Sequence, residues 1–219
     1  MTPNIEQARH NMIDNQVRPW DVLDPRVLDA LEYVRREDFV PAAYRNMAFV
    51  DLTLPLGHGE VMMKPVVEGR LLQALSLEGH ERVLEIGTGS GYLTACLAHL
   101  AGHVTSVDLH AEFTRGAQDA LTRAAIDNVT LFTDEAMHAY QPDGAFDVVV
   151  VTGAVPSVPE RFLAWLKPGG RAFLVTGRSP VMRAVLLHHE GSGKYREESL
   201  FETDMPYLVH AAPTPRFTL

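Results

Sequence analysis

The chain has 219 residues, a net charge of −9, 46% hydrophobic residues and one cysteine. That length suits one domain with a full core, and the acidic balance argues against nucleic acid as the main partner because phosphates repel a negative surface. A lone cysteine excludes an internal disulfide framework, the polar start MTPNIEQARHNMIDNQ lacks the apolar stretch of a signal peptide, and no run reaches the roughly 18 apolar residues of a membrane span. The expectation is a soluble cytoplasmic protein with no nucleic-acid or membrane partner.

The first third reads as helical and irregular. In DPRVLDALEYV, Asp24 is a natural N-cap, Pro25 suits the first helical position, and Val27, Leu28, Leu31 and Val34 recur at helical spacing. The QVRPWDV segment before it carries Trp20, which reads as a lid, a subunit contact or a packed anchor. The stretch FVPAAYRNMAFVDLTLPLGHGEVMMKP is dense in proline and glycine and predicts a long shaped connection; loops of that length are more often functional than idle.

From Val66 onward strands and helices alternate. VVEGRLLQALSL predicts a helix, RVLEIG a buried strand, YLTACLAHLA a helix and HVTSVD a strand. AEFTRGAQDALTRAA, NVTLFT, FDVVVVTG, VPERFLAWL and GRAFLVTG continue the alternation, and RAVLLHHE and YREESLFE flank the hairpin turn GSGK. Valine-rich strands alternating with helices predict a parallel sheet covered on both faces. The expected fold is therefore α/β: a Rossmann-like, seven-stranded, mostly parallel sheet with an antiparallel edge strand and helices on both faces, plus an N-terminal helical extension. The division is residues 1–65, extension and substrate loop, and 66–219, core, within one compact domain overall; the tail AAPTPRFTL is expected to be extended.

VLEIGTGSGY places Gly87, Gly89 and Gly91 between a strand and a helix. Such a loop holds nucleotide-like ligands, since glycines admit a ligand to the backbone and the helix start offers free N–H groups. The dinucleotide fingerprint wants glycine at the sixth position, where Tyr92 stands, and no lysine follows as a triphosphate loop requires. Glu85 lies within the strand, Asp108 ends the next, and Asp134 ends the one after. A ligand with a ribose, a positive centre and no phosphate, such as S-adenosyl-L-methionine, suits these carboxylates.

VLEIGTGSGY resembles the first motif of class I S-adenosylmethionine-dependent methyltransferases, and FDVVVVTG and LKPGG resemble the fourth and sixth. The resemblance implies that Glu85, Gly87 and Gly89 shape the methionine end, Asp108 takes the ribose, and Asp134 with Glu135 takes the adenine. Thr88, Ser90, Gly91, Tyr92, Leu109 and Thr152 complete the cofactor set. VRREDFVP, LPLGHG, VLEIGTGSGY and VTGAVPSVPERFLAWLKPGG, in this order, are similar to protein-L-isoaspartate O-methyltransferases over roughly residues 20 to 210. That family methylates the abnormal carboxylate of isoaspartyl residues in damaged proteins, which implies isoaspartyl proteins or peptides as partners.

One stretch departs from the family. Where it carries Gln-Thr-Ile-Ser, this chain reads Glu60, Val61, Met62 and Met63, so the serine beside the substrate carboxylate is matched by Met63, and Gly153 stands where alanine is common. A carboxylate acceptor, with a reference pKa near roughly 4, needs no base; other nucleophiles would, and His58, Glu60 and Lys64 are at hand. Glu60, Met63 and Lys64 are thus the catalytic candidates, although Glu60 and Lys64 read equally as solvated charges, His58 as a loop donor and both methionines as core. No metal site is expected from His99/His103 or His188/His189, and Cys96 reads as packing. Two further readings stay open: the same cofactor with a small-metabolite or other protein acceptor, and a cofactor-binding regulatory module without catalysis. The oligomeric state is not legible.

Overall fold

The computed structural model describes residues 4–213. Asn4 caps α1 (Ile5–Met12), whose chain continues through a wide helical turn at Ile13–Val17. Asp24 accepts from the Arg26 amide and Pro25 opens α2 (Pro25–Tyr33), as the pattern predicts. The long connection then holds short 3₁₀ turns and a hairpin, β1 (Leu54–Gly57) and β2 (Glu60–Met62). His58 and Gly59 turn it with φ of 55° and 84°, the left-handed pair that suits strand twist.

The core follows as α3 (Pro65–Leu75), β3 (Arg82–Ile86), α4 (Tyr92–Leu100), β4 (His103–Asp108), α5 (Ala111–Arg123), β5 (Val129–Thr133), β6 (Phe146–Val155), α6 (Glu160–Ala164), β7 (Leu166–Arg178), β8 (Val181–Gly191) and β9 (Lys194–Thr203). The seven-stranded sheet runs β5-β4-β3-β6-β7-β8-β9. Pairs from β5 to β7 are parallel; β7 with β8 and β8 with β9 are antiparallel. β8 runs against the rest of the sheet and the GSGK turn folds β9 back along it, which gives the expected antiparallel edge. Of the expected extended tail, residues 214–219 lie outside the described residues.

Alternation along the strands sorts the core into two layers. Val83, Val148, Val150, Phe173 and Val175 pack with α3, α4 and the N-terminal segments, and Leu84, Ile86, Val149, Val151 and Leu174 pack with Phe162, Trp165 and Tyr140. The order reverses between β3 and β6, and beyond their carboxyl ends a crevice must open.

The N-terminal segment is built into the first layer. Gln73 accepts from the amides of Leu23 (2.5 Å) and Asp24 (2.9 Å) and donates to the Asp21 carbonyl, while Val17 and Val22 are fully buried. The anchor of QVRPWDV is therefore its backbone and valines; Trp20 is half exposed. Arg36, fully buried, donates to the carbonyls of Ala48 (2.9 Å) and Met63 (2.7 Å), pairs with Glu68, and lies 4.8 Å over the Tyr92 ring. One guanidinium thereby joins the extension, the segment after β2, α3 and α4. Among the described residues, no helix is long and apolar enough to cross a membrane.

Gly69 of α3 faces Val17 so closely that an added Cβ would come within 2.8 Å of Val17 Cγ1. Gly69→Val is expected to destabilise the fold by about 1–3 kcal/mol, the usual cost of overpacking, read as a lower urea midpoint at unchanged slope.

Candidate active site

Beyond the carboxyl ends of β3, β4, β5 and β6 lies a cleft of about 840 Å³, open to solvent. Its floor is the glycine loop. Gly87, Gly89 and Gly91 have φ of 97°, 53° and 82°, so each takes a left-handed conformation. Each is also approached by the protein itself. A Cβ on Gly87 would fall 2.1 Å from Thr152 Oγ1, one on Gly89 3.1 Å from Leu56, and one on Gly91 2.8 Å from Ala117 Cβ. Internal contacts exclude a side chain at Gly87 and Gly91 and crowd one at Gly89, while Gly87 and Gly89 also line the cleft, where bare backbone leaves room for a ligand.

Asp108 is fixed at the tip of β4. Its Oδ2 accepts from the Gly89 amide and its Oδ1 from the His110 amide, both at 2.9 Å. Asp134 follows β5, its amide bonded to the Asp108 carbonyl, and its Oδ1 accepts from the Glu135 amide at 2.7 Å. Burial alone would raise the pKa of Glu135, but the Met137 and His138 amides, at 2.8 and 2.6 Å, hold it lowered. A bulge in β6 between Val150 and Ala154 turns Thr152 and Gly153 out of the ladder toward the cleft; such bulges re-aim residues beside functional sites. Thr152 Oγ1 bridges the carbonyls of Ile86 (2.9 Å) and Gly87 (2.7 Å).

The β1–β2 hairpin forms the roof, with Leu56, Glu60, Val61, Met62 and Met63 lining the cleft. His58 ties its tip to the core: Nε2 lies 2.8 Å from Glu112 Oε2, and the ring stacks on His110 with centroids 4.2 Å apart. Burial raises the pKa of Glu60, and the Asp108 charge adds to it. A strap over residues 206–211 closes the other side with Leu208 and Val209.

The structure thus gathers Gly87, Thr88, Gly89, Ser90, Asp108, Leu109, Asp134, Glu135 and Thr152 around one cleft, with Glu60 and Met63 above them. Glu85, Gly91, Tyr92 and Lys64 do not line it. Glu85 alternates onto the α4 face of β3, where Ser106 (2.6 Å) and Thr94 donate to its Oε2; Gly91 abuts α5; Tyr92 is buried beneath Arg36; Lys64 caps α3 from outside the cleft. Lining residues that the sequence reading missed include Glu68, His110, Phe113, Met137, Leu208 and Val209. Glu68 had a signal, since a carboxylate on the buried face of an apolar helix needs a partner. His110 is adjacent to the acidic strand end, and its Nε2 is buried without a hydrogen-bond partner. The strap carries no such local mark.

The donor set suits the adenosyl group of S-adenosyl-L-methionine. Among the described residues the lining carries Glu60, Glu68, Asp108, Asp134 and Glu135 and neither lysine nor arginine. Carboxylates of this kind accept ribose hydroxyls and an adenine amino group and attract a cation, whereas the phosphates of a dinucleotide would meet uncompensated repulsion.

Sheet order, glycine loop and acidic strand ends define a Rossmann-like α/β protein of the class I methyltransferase type. The family model described as protein-L-isoaspartate(D-aspartate) O-methyltransferase matches residues 7–203. The chain belongs to that family. Its relatives include the protein-L-isoaspartate O-methyltransferase of Myxococcus xanthus, 40% identical over 71% of this chain and 74% of that one. Protein-L-isoaspartate O-methyltransferase 2 of Pelobacter propionicus is 35% identical over 95% and 93%. A Plasmodium falciparum crystal structure described as a protein-L-isoaspartate O-methyltransferase, in complex with S-adenosyl-L-homocysteine, shares the fold with a TM-score of 0.79. It is 17% identical and covers 94% of this chain and 98% of that one.

Burial pushes Glu85 up to about 8 from an ordinary 4.5, against the bonds from Ser106 and Thr94 that pull it back. Its stability contribution is therefore full below about pH 4.5 and is lost as pH rises toward about 8. Glu85→Gln, which cannot ionise, is expected to show a shallower fall of Tm across that window than the unsubstituted protein, read by differential scanning fluorimetry at constant ionic strength.

Proposed function

We propose that this protein is an S-adenosylmethionine-dependent carboxyl methyltransferase acting on isoaspartyl residues of damaged proteins and peptides, in the cytoplasm. The family match over residues 7–203 carries the reading, and the cleft's donor set agrees with it. Bound S-adenosyl-L-methionine supplies the methyl group from a sulfonium, a leaving group that needs no acid.

The chain's own residues hold and orient. Asp108 takes the ribose hydroxyls from a carboxylate already fixed by two backbone amides, and Asp134 with Glu135 takes the adenine. Gly87, Gly89 and Thr152 form the wall beside the methionine end. The isoaspartyl carboxylate, with a reference pKa near roughly 4, arrives ionised, so no base is assigned. Catalysis is then alignment at about 3 Å and exclusion of water, to which the roof and strap contribute apolar cover. Arg36 fixes the roof by holding the Met63 carbonyl. In this reading Met63 replaces a hydroxyl contact to substrate with a packing wall, which suits a reaction driven by positioning.

A second reading, the same cofactor with a different acceptor, draws on one observation: Val61, Met62 and Met63 present no hydroxyl to the cleft. Incubation with an isoaspartyl peptide, its normal aspartyl counterpart and methyl-labelled cofactor separates the two. Base-labile label on the isoaspartyl peptide alone is expected; label on neither would discard the first reading. Asp108→Asn removes a charge that hydroxyl donors face, worth about 1.5–3 kcal/mol. It is expected to raise the cofactor Kd at least about tenfold in equilibrium dialysis.

A further inference from the structure

Resting on the isoaspartyl reading above, we propose that Leu208, held over the cleft because Gly153 has no side chain, is a specificity-determining residue. The acceptors it selects are isoaspartyl peptides with an apolar side chain next to the isoaspartyl residue.

The strap is fastened to the end of β6 by its backbone. The Ala154 amide donates to the Pro206 carbonyl at 2.8 Å and the Leu208 amide to the Ala154 carbonyl at 2.9 Å, so Tyr207 bridges Ala154 in parallel. The Tyr207 hydroxyl donates to the Gly177 carbonyl at 3.1 Å, and Ala211 is buried beyond. The strap therefore has a fixed depth, and Gly153 sets it. A Cβ at position 153 would lie 2.7 Å from Leu208 Cδ2, 2.9 Å from Cγ and 3.0 Å from the Leu208 amide nitrogen. The last of these is backbone, so a rotamer change cannot relieve the clash. A side chain at 153 would therefore have to displace Leu208, side chain and backbone together.

With Gly153 present, Leu208 and Val209 line one side while Leu56, Val61, Met62 and Met63 line the roof. The carboxylates fixed at the ends of β4 and β5, Asp108 and Asp134, belong to the cofactor end. Thr152 has its hydroxyl committed to two carbonyls. The roof's one carboxylate, Glu60, lies toward Asp108 and His110, whose charges act on it, so a substrate side chain entering between Leu208 and the Val61–Met63 stretch meets carbon. Leu208 is only partly buried and Val209 is 36% exposed, so both have apolar surface left to cover. Covering it with a substrate leucine removes apolar area from water; a substrate asparagine leaves its amide there without a partner.

The test compares two isoaspartyl peptides that differ only in leucine or asparagine beside the isoaspartyl residue, with unsubstituted, Gly153→Ala and Leu208→Ala protein. The unsubstituted protein is expected to show a KM at least about fivefold lower for the leucine peptide. Either substitution should bring the ratio below about twofold while the cofactor Kd stays within about twofold, which a merely structural defect would not do. Leu208→Ala keeps the test alive should Gly153→Ala fold poorly. Equal KM values in the unsubstituted protein, or a preference that survives both substitutions, would overturn the inference while leaving isoaspartyl methylation standing. Methylation of neither peptide would overturn the functional reading and this inference together.

Discussion

The cleft depends on close approaches at the carboxyl ends of β3 and β6. Thr152 rests against Gly87 and bonds its carbonyl, while Leu208 crosses Gly153. Neither contact leaves room for a Cβ. The β6 bulge makes both possible, because it takes the two residues out of register with β7 just where the strand order reverses. A reversal point opens a crevice in any doubly wound sheet; here the bulge and the missing side chains decide that it is narrow, walled by backbone and closed on one side by the chain's own strap.

Around that crevice the electrostatics divide by depth. Deepest are the fully buried carboxyls. Glu68 is paired with Arg36 yet raised to about 7 by burial, and Glu85 is raised to about 8 by burial, with two hydroxyls as its hydrogen-bond donors. Nearer the surface, Asp108 and Glu135 are steadied by backbone amides. Arg36 belongs to the deep set and serves the surface set, because its bond to the Met63 carbonyl fixes the roof. Removing one member of a buried pair strands the other charge and typically costs about 3–5 kcal/mol, so roof position and fold stability are linked through one side chain. The roof's outer tip is held more lightly, by exposed His58 on Glu112 and its stack on His110.

Much of this was legible in the sequence. The Asp24–Pro25 helix start, the apolar strand β3, the valine run of β6, and the carboxylates at the end of β4 and just after β5 all follow from local rules of capping, period and strand ends. The resemblance of the glycine loop and the LPLGHG stretch led to the right family. Other features were not local. Glu85 sits within VLEIG beside the loop, but the two-residue alternation of β3 points it at Thr94 and Ser106 rather than at the cleft. Gly91 reads like a ligand glycine and is instead a packing glycine against Ala117. Leu208 and Val209 lie more than 50 residues along the chain from Gly153 and join the cleft only through the strap's bonds to Ala154. The long connection before Pro65 hid a hairpin because its strands have four and three residues, too short for alternation to register.

The central claim is that this crevice holds an adenosyl sulfonium cofactor between fixed carboxylates and side-chain-free main chain. A crystal structure of the protein grown with S-adenosyl-L-homocysteine and an isoaspartyl peptide tests it most directly. The ribose is expected on Asp108, the adenine beside Asp134 and Glu135, and the peptide between the roof and Leu208. Density for the nucleoside at any other place, with these carboxylates facing solvent, would contradict it.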